Sequence, residues 1–257
     1  MAEVKSSVIK SEVDRYSSYA HTWWNPNGRT YLLHKMIPAI RIPFMKSGLT
    51  DAGLVKNENK DKSNIFEGIK ILDVGSGGGL MAEPLALMGA QVTGVDPTEK
   101  LVDVAKEHMK IHENLKINYI CDTIENYSAN NKEQYDVVTF FDVAEHVADV
   151  RQVLKASVEN LKPGGQIFIT TWNKTFMGWL YGIVILQWIL GIVPPGAHKI
   201  SMFISHQQIS EYLKEFNCKT VEVRGVWYSL WKRDWSFTNY TGVWYAMRAV
   251  KEECSRV

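Results

Sequence analysis

The sequence predicts an α/β fold in which a mostly parallel sheet of seven strands carries helices on both faces. From residue 69 to residue 171, short apolar runs alternate with helical patterns, as they do where helices connect parallel strands. A glycine-rich turn follows the first apolar run directly. The last two apolar runs, 220–227 and 244–250, have no helical pattern between them and predict a terminal hairpin with one antiparallel strand.

Each predicted element occupies a bounded stretch of sequence. Strands are predicted at 69–74, 91–95, 117–121, 135–141, 166–171, 220–227 and 244–250. Helices are predicted at 80–88, 99–112, 148–161 and from about residue 205, with glycine or proline ending the first and third. Residues 1–50 are predicted to form a helical cap, and 172–204 an apolar insert after the fifth strand. All of them are assigned to a single domain, 1–257.

Composition excludes several classes of protein. With 257 residues and 46% hydrophobic content, the chain can bury one sizeable core. A formal net charge of +1, without a basic tract, argues against nucleic acid as a partner. Three cysteines without Cys-x-x-Cys spacing indicate neither a disulfide framework nor a zinc site. The first residues resemble neither a signal peptide nor a transit peptide, so any import sequence is absent or already removed.

The glycine-rich turn after the first strand predicts a nucleotide-type binding site. Glycines at alternate positions, including Gly75 and Gly77, allow close approach of a ligand to the backbone. Asp96, at the end of the next strand, is placed to accept hydrogen bonds from both hydroxyls of a ribose. Leu80 stands where a dinucleotide fold requires its third glycine, and Asp73 would repel a pyrophosphate. We therefore predict S-adenosylmethionine (SAM) as the cofactor; the alternative is a turn with purely structural glycines.

Two acids and a histidine follow the fourth strand. If the chain after Phe141 forms one helical turn, Asp142, Glu145 and His146 share a face at the edge of the same crevice. Carboxylate ligands of this kind suit Mg²⁺ or a similar divalent ion. Two alternatives remain open: His146 acts as a general base, or the acids merely favour the start of a helix.

The apolar insert contains an uncharged stretch, 176–193, of borderline length for a membrane span. A span would separate the terminal hairpin from the sheet that it completes, so we do not expect one. The glycines and aromatic residues within it favour a helix lying in the membrane interface, which would make the membrane surface a partner. A packed lid over the substrate crevice is the alternative.

Beyond these patterns, the chain resembles the ubiquinone-biosynthesis O-methyltransferases, a family of class I (Rossmann-like) methyltransferases, over nearly its whole length. The matching motifs are Trp23-Trp24-Asn25-Pro26-x-Gly28, Leu33-His34-Lys35, Leu72-Asp73-Val74-Gly75-x-Gly77-Gly78-Gly79, Glu145-His146-Val147, Leu161-Lys162-Pro163-Gly164-Gly165 and Val193-Pro194-x-Gly196-x-His198. The glycine turn is common to all class I methyltransferases, whereas the first and last motifs are far more particular.

The resemblance implies roles for individual residues. It implies that Asp142, where the family usually has Glu, holds a divalent metal together with Glu145 and His146, and that the last two are catalytic. It also implies that Arg41 meets the SAM carboxylate. Three further cofactor contacts are expected from Asp122 and Thr123, beside the adenine, and from Phe141.

The resemblance also implies a reaction and a place. Family members methylate ring hydroxyls of polyprenylated catechols at a membrane surface, as part of a complex of quinone-biosynthesis proteins. In eukaryotes this is the matrix face of the mitochondrial inner membrane, and in bacteria we expect the cytoplasmic membrane face. The alternatives are a non-catalytic SAM- or lipid-binding assembly subunit and a metal-independent small-molecule methyltransferase.

Overall fold

Eight strands form one mixed sheet in the computed structural model, which describes residues 6–59, 62–194 and 196–253. The strands are β1 (Lys70–Val74), β2 (Gln91–Asp96), β3 (Ile117–Cys121), β4 (Tyr135–Phe141), β5 (Leu161–Trp172), β6 (Cys218–Ser229), β7 (Asp234–Thr238) and β8 (Trp244–Lys251). Their order is β3-β2-β1-β4-β5-β8-β6-β7. The first five strands are parallel, and β8 runs antiparallel to both β5 and β6. The predicted α/β class and mostly parallel core are confirmed.

The predicted number of seven strands is wrong, because β7 lies in the connection that carried no strand signal. The chain turns back after Ser229, and β7 pairs antiparallel with the end of β6. Its anchor is Trp235, whose ring lies 5.0 Å from those of Tyr228 and Trp244. The Trp235 indole also donates to the carbonyl of Leu32 at 3.1 Å. A five-residue edge strand held by one buried indole offers too little alternation to be recognised locally.

Nine α-helices lie in the described ranges. They are α1 (Lys10–Ser18), α2 (Tyr31–Met36), α3 (Ile42–Asp51), α4 (Ala82–Leu87), α5 (Glu99–Met109), α6 (Ile124–Ser128), α7 (Val150–Glu159), α8 (Phe176–Gly178) and α9 (His206–Glu215). π-Helical turns at Ile37–Arg41 and Trp179–Ile189 join α2 to α3 and extend α8. Short 3-10 turns lie at Ala20–Thr22, Asn57–Asn59, Ala144–His146 and Ile200–Met202.

Alternate side chains of the central strands enter two separate apolar cores. Ile71 and Val137 belong to one core, and their neighbours Leu72 and Val138 belong to the other. The first core receives the residues of α2, α3 and α5, and the second receives those of α7 and α9. This alternation follows from the pleat of a strand, and it confirms that helices cover both faces of the sheet.

The N-terminal part of the described chain forms α1, α2 and α3, and α1 lines one side of a crevice at the carboxyl ends of the central strands. Val8 forms a β-bridge with Val147, just after the 3-10 turn that follows β4. This bridge brings α1 against that turn. The ring of Tyr16 then lies edge-on to the ring of His146, at 5.3 Å.

The apolar insert folds as α8 and its π-helical continuation. Its inner side is buried, and a Cβ added at Gly182 would lie 2.6 Å from the indole of Trp172. Its far end is exposed, with Trp188 and Ile189 in contact with solvent. In the described ranges, no helix is both long and apolar enough to cross a membrane.

Candidate active site

One crevice at the carboxyl ends of β1, β2 and β4 gathers most of the predicted site residues. Its lining includes Arg41, Asp73, Gly75, Gly77, Asp96, Phe141, Asp142, Glu145 and His146. This edge is where open parallel sheets bind their ligands, because the connections that leave neighbouring strands there turn to opposite faces of the sheet and leave a crevice between them. Asp122 and Thr123 are not among the residues that line it.

The glycine turn adopts conformations that other residues rarely take. Gly75 and Gly77 have φ angles of +69° and +52°. A Cβ at Gly75 would lie 2.7 Å from Val143, and one at Gly77 would lie 2.7 Å from the indole of Trp23. The glycines therefore make room for a buried tryptophan of the cap as well as for a ligand, which sequence reasoning missed.

The neighbouring Trp24 clamps the same turn from outside. Its indole nitrogen donates to the carbonyl of Gly78 at 2.9 Å. Its ring stacks on His108 with 3.4 Å between the centroids. The Nδ1 atom of His108 lies 2.9 Å from the buried carboxylate of Glu83. The Trp-Trp motif thus couples the cap to the glycine turn.

Asp96 is held by two backbone amides. Its Oδ2 accepts from the amide of Gly77 at 2.9 Å, and its Oδ1 accepts from the amide of Thr98 at 2.8 Å. Burial raises its pKa, and these hydrogen bonds oppose the shift. Each carboxylate oxygen has two acceptor sites, so both oxygens can still accept from a ribose hydroxyl.

Asp73 is a buried acid with a hydrogen-bond partner at only one of its two carboxylate oxygens among the described residues. Its Oδ1 accepts from the hydroxyl of Thr139 at 2.6 Å. Its Oδ2 is buried without a hydrogen-bond partner in the described part of the chain. Burial raises the pKa of this carboxyl to about 6, although Thr139 and Arg41 act to lower it. An amine-bearing ligand would supply the missing donor.

Asp142 differs most from the sequence prediction. It does not belong to the turn that carries Glu145 and His146; it precedes that turn with a φ of +56°. Its carboxylate forms an ion pair with buried Arg41 and accepts from the hydroxyl of Thr170 at 2.8 Å. The predicted shared face of Asp142, Glu145 and His146 is therefore not formed. The positive φ of Asp142 changes the direction of the chain before the turn, and the carboxylate of Asp142 pairs with the guanidinium of Arg41.

Arg41 and Phe141 form one wall of the crevice. The guanidinium lies 4.9 Å from the centre of the Phe141 ring. Its Nε is buried without a hydrogen-bond partner in the described residues. A contact between Arg41 and the SAM carboxylate stays a prediction, and in this structure its carboxylate partner is Asp142.

Asp122 and Thr123 cap α6 beside the crevice. Asp122 accepts from the side-chain amide of Asn126 at 3.0 Å, and the Thr123 hydroxyl accepts from the Asn126 backbone amide at 3.2 Å. The backbone amide of Asp122 donates to the carbonyl of Asp96 at 3.2 Å. They therefore lie next to the ribose acceptor, and the predicted adenine contact stays a prediction.

Glu145 is buried with one carboxylate oxygen satisfied. Its Oε2 accepts from the Thr171 hydroxyl at 2.6 Å, and its Oε1 has no partner among the described residues. Burial, reinforced by the charge of Asp142, raises its pKa to about 7. A cation beside this carboxylate would reverse that shift.

His146 is contacted by three residues that sequence reasoning missed, one of which is Arg15, whose guanidinium lies 3.3 Å from Nδ1 of the imidazole. Its Nδ1 lies 2.9 Å from a carboxylate oxygen of Glu12, and its Nε2 lies 2.9 Å from the hydroxyl of Tyr16. Burial acts to raise the pKa of Glu12, but the hydrogen bond and charge of His146, together with the charges of Arg15 and Lys199, outweigh it and lower the pKa. Glu12, Arg15 and Tyr16 all belong to α1, so no local pattern connects them with His146.

His198 is the third group in this cluster. Glu145, His146 and His198 place one ligand atom each within 4.8 Å of one another, the arrangement in the described residues that could hold a metal ion. Burial lowers the pKa of His198 well below its ordinary value, so the imidazole is neutral. His198 ends the Pro-x-Gly-x-His motif, for which the sequence analysis predicted no role.

Comparison with known proteins agrees with this geometry. A family model described as a methyltransferase domain matches residues 44–223. The ubiquinone biosynthesis O-methyltransferase of Rickettsia prowazekii is 37% identical over 242 residues, covering 94% of this chain and 90% of that protein. The mitochondrial ubiquinone biosynthesis O-methyltransferase of Rattus norvegicus is 35% identical, covering 95% of this chain and 70% of that protein.

Solved structures with little sequence similarity share the fold. Magnesium protoporphyrin IX methyltransferase from Synechocystis, solved with bound SAM, has a TM-score of 0.56 at 13% identity, and the match covers 98% of this chain and 100% of that one. A SAM-dependent methyltransferase from Thermotoga maritima also has a TM-score of 0.56, at 16% identity, covering 94% and 99%. The resemblance noted in the motifs is confirmed, and the chain belongs to the ubiquinone biosynthesis O-methyltransferase family of SAM-dependent methyltransferases.

Proposed function

We propose that this protein transfers the methyl group of SAM to a ring hydroxyl of a polyprenylated catechol in ubiquinone biosynthesis, with the help of a divalent ion. The observation that carries the proposal is the single crevice that joins two groups of residues. Asp73 and Asp96 suit the cofactor, and Glu145 and His146 face the same space. A methyl donor and an activated hydroxyl can therefore meet there.

The acceptor hydroxyl must lose its proton. A phenol has a pKa near 10, so at neutral pH it is a poor nucleophile. A divalent ion held by Glu145 and His146 would favour the phenolate through its charge. The unpartnered Oε1 of Glu145 supports this role, because a buried carboxylate oxygen without a donor is costly. The protein contributes alignment of the oxygen, methyl and sulfur atoms, which lowers the barrier by positioning.

A metal-free mechanism is the second candidate. The 2.9 Å contact between Glu12 and Nδ1 of His146 favours it, since a carboxylate there orients the imidazole and stabilises its protonated form. His146 would then take the phenolic proton through Nε2, where the Tyr16 hydroxyl now lies. Metal dependence distinguishes the two mechanisms.

The deciding experiment combines purified protein, SAM and a short-chain prenyl catechol, and follows the methylated product by mass spectrometry. We expect product formation, its loss after treatment with EDTA, and recovery when a divalent ion is added back. Full activity in EDTA would favour His146 as general base. No product under any metal condition, with SAM bound, would favour a non-catalytic assembly subunit.

We further propose that the insert docks on a membrane surface and admits the apolar tail of the substrate. Phe176, Trp188, Ile189 and Trp231 are 69%, 65%, 68% and 95% exposed. Trp231 belongs to the β6–β7 turn, and that hairpin contacts the insert through Tyr181 and Trp227, whose rings lie 4.4 Å apart. Apolar burial is worth about 25 cal/mol per Å², so a few hundred Å² gives several kcal/mol before ordering costs.

Liposome flotation tests this docking. We expect the double variant Trp188→Ser/Ile189→Ser to lose liposome binding and to methylate long-tailed catechols more slowly, while a tail-less catechol is methylated normally. Ile111→Ser is the matched control, because Ile111 is 67% exposed outside the insert. Retained flotation of the double variant, with equal loss on both substrates, would identify the insert as a packed lid instead.

The cellular location follows as part of the same proposal. Relatives include bacterial proteins and eukaryotic proteins named as mitochondrial. We expect peripheral attachment at the matrix face of the inner membrane in a eukaryote, or at the cytoplasmic membrane face in a bacterium, beside other quinone-biosynthesis proteins. If the protein co-fractionates with membranes and a carbonate wash releases it from them, peripheral attachment is supported.

A further inference from the structure

We propose that His198 is a ligand of the divalent ion, together with Glu145 and His146, and that Asp142 is not. This inference rests on the metal part of the proposed function and specifies its ligands. Two of the three ligands are contributed by the turn after β4. The third comes from the loop that returns from the apolar insert.

The three side chains converge closely enough to hold one ion. One ligand atom from each lies within 4.8 Å of the others. His198 packs between the indole of Trp172, at 5.2 Å between centroids, and the ring of His146, at 6.0 Å. Its backbone amide donates to the side chain of Gln187 at 3.0 Å, which ties the loop to the insert. Ring packing on both sides and this hydrogen bond therefore fix the position of His198.

Two atoms of this cluster lack partners. Oε1 of Glu145 and Nδ1 of His198 are both buried and make no hydrogen bond within the described residues. Leaving such groups unpaired costs free energy that folding must supply elsewhere. An ion beside Oε1 would satisfy the carboxylate and ease the burial of the imidazole next to it.

Asp142 is already committed to other partners. Its Oδ1 accepts from the Thr170 hydroxyl, and its Oδ2 pairs with the guanidinium of Arg41. To ligate a cation, it would have to release Arg41, a buried guanidinium that would then need another anionic partner beside a second positive charge. The carboxylate of Asp142 thus holds Arg41 of the cap, and His198 replaces Asp142 as the third ligand.

The donor set has a consequence for metal choice. Two imidazole nitrogens and one carboxylate oxygen suit Co²⁺ or Zn²⁺ better than Mg²⁺, which prefers oxygen ligands. His146 holds Glu12 at Nδ1, the partner that a metal-bound histidine commonly has, and Tyr16 must leave Nε2 for an ion to bind there. We expect the protein to bind Co²⁺ and Zn²⁺ more tightly than Mg²⁺.

Metal binding tests the assignment without relying on catalysis. Co²⁺ is titrated into the metal-free protein and followed by its visible absorption, and pulsed EPR of the Mn²⁺ form counts the coordinated nitrogens. We expect two imidazole nitrogens in the wild type. We expect His198→Ala and His198→Gln to weaken Co²⁺ binding by at least about 100-fold, because losing even a residue that only orients a metal ligand costs roughly 10- to 100-fold. Asp142→Asn should leave it nearly unchanged, as should the control His21→Ala, which removes an exposed imidazole.

Each contrary result overturns the assignment. One such result is that the wild type does not bind Co²⁺. Another is that the EPR spectrum shows a single coordinated nitrogen. A third is that both His198 variants bind Co²⁺ as tightly as the wild type. A loss confined to Asp142→Asn would restore the acid as the ligand. SAM affinity and thermal unfolding of each variant exclude misfolding as the cause. Catechol methylation by wild-type protein separates this failure from failure of the proposed function, which would remain intact if product forms.

Discussion

Replacing Asp73 with asparagine tests how the cofactor site is built. The wild-type carboxyl is buried, its Oδ2 has no partner among the residues that the structure describes, and its pKa is raised from the ordinary 3.8 to about 6. The folded protein therefore holds this proton more tightly than the unfolded chain does. The stability contributed by the raised pKa is fully present below about pH 4 and is lost as the pH rises through 6. Asp73→Asn removes this loss.

The magnitude follows from the shift. A pKa difference of about two pH units, at 1.36 kcal/mol each, corresponds to about 3 kcal/mol. The asparagine amide leaves a donor near the unpartnered position, which costs about 1–3 kcal/mol at every pH. The absolute stability of Asp73→Asn can therefore lie on either side of the wild type. The pH dependence of the difference is free of that constant cost and carries the prediction.

Urea unfolding at a series of pH values from 4 to 8 measures this difference. We expect the free energy of unfolding of Asp73→Asn, minus that of the wild type, to rise by up to about 3 kcal/mol between pH 4 and pH 7. The other buried acids titrate in both proteins and largely cancel. Asp103→Asn is the control, because Asp103 is exposed on α5. Parallel curves for Asp73→Asn and the wild type would refute the reasoning.

Cofactor binding should respond in the opposite sense. If Asp73 receives a charged donor from SAM, the loss of its charge costs about 1.5–3 kcal/mol of binding. Calorimetry at pH 7.5 should then show an affinity lower by roughly 10- to 100-fold. An unchanged affinity would mean that Asp73 shapes the turn and does not contact the ligand.

Two further variants probe the halves of the crevice. Glu145→Gln should abolish most methyl transfer while SAM affinity stays near that of the wild type, because the amide keeps the shape but loses the charge; parallel loss of both would contradict separate sites. Gly77→Ala should lower both thermal stability and SAM affinity, since its Cβ meets the Trp23 ring at 2.7 Å and the residue has a positive φ. Relief of that defect by the additional change Trp23→Ala would show that the indole, and not the backbone, limits the site; no relief would assign the defect to backbone strain.

Local patterns were sufficient for the parallel part of the sheet, though not for β7, and for the position of the glycine turn beside Asp96. Alternating apolar runs and helices fix a parallel order, because a helix must cross over between parallel strands. The glycine turn and Asp96 end adjacent strands, so topology alone brings them together. The same reasoning placed Glu145 and His146 at that edge, after β4.

Only the tertiary structure decided which partner each of these side chains takes. Asp142 pairs with Arg41, 101 positions away, and His146 with Glu12, 134 positions away. His198 joins the same cluster from beyond the insert. These contacts depend on how the cap and the insert pack over the sheet edge, and no periodicity or spacing encodes the distance between residues on separate elements. Asp142, predicted as a metal ligand from its position, therefore pairs in the structure with Arg41, a buried guanidinium that the sequence could not place beside it.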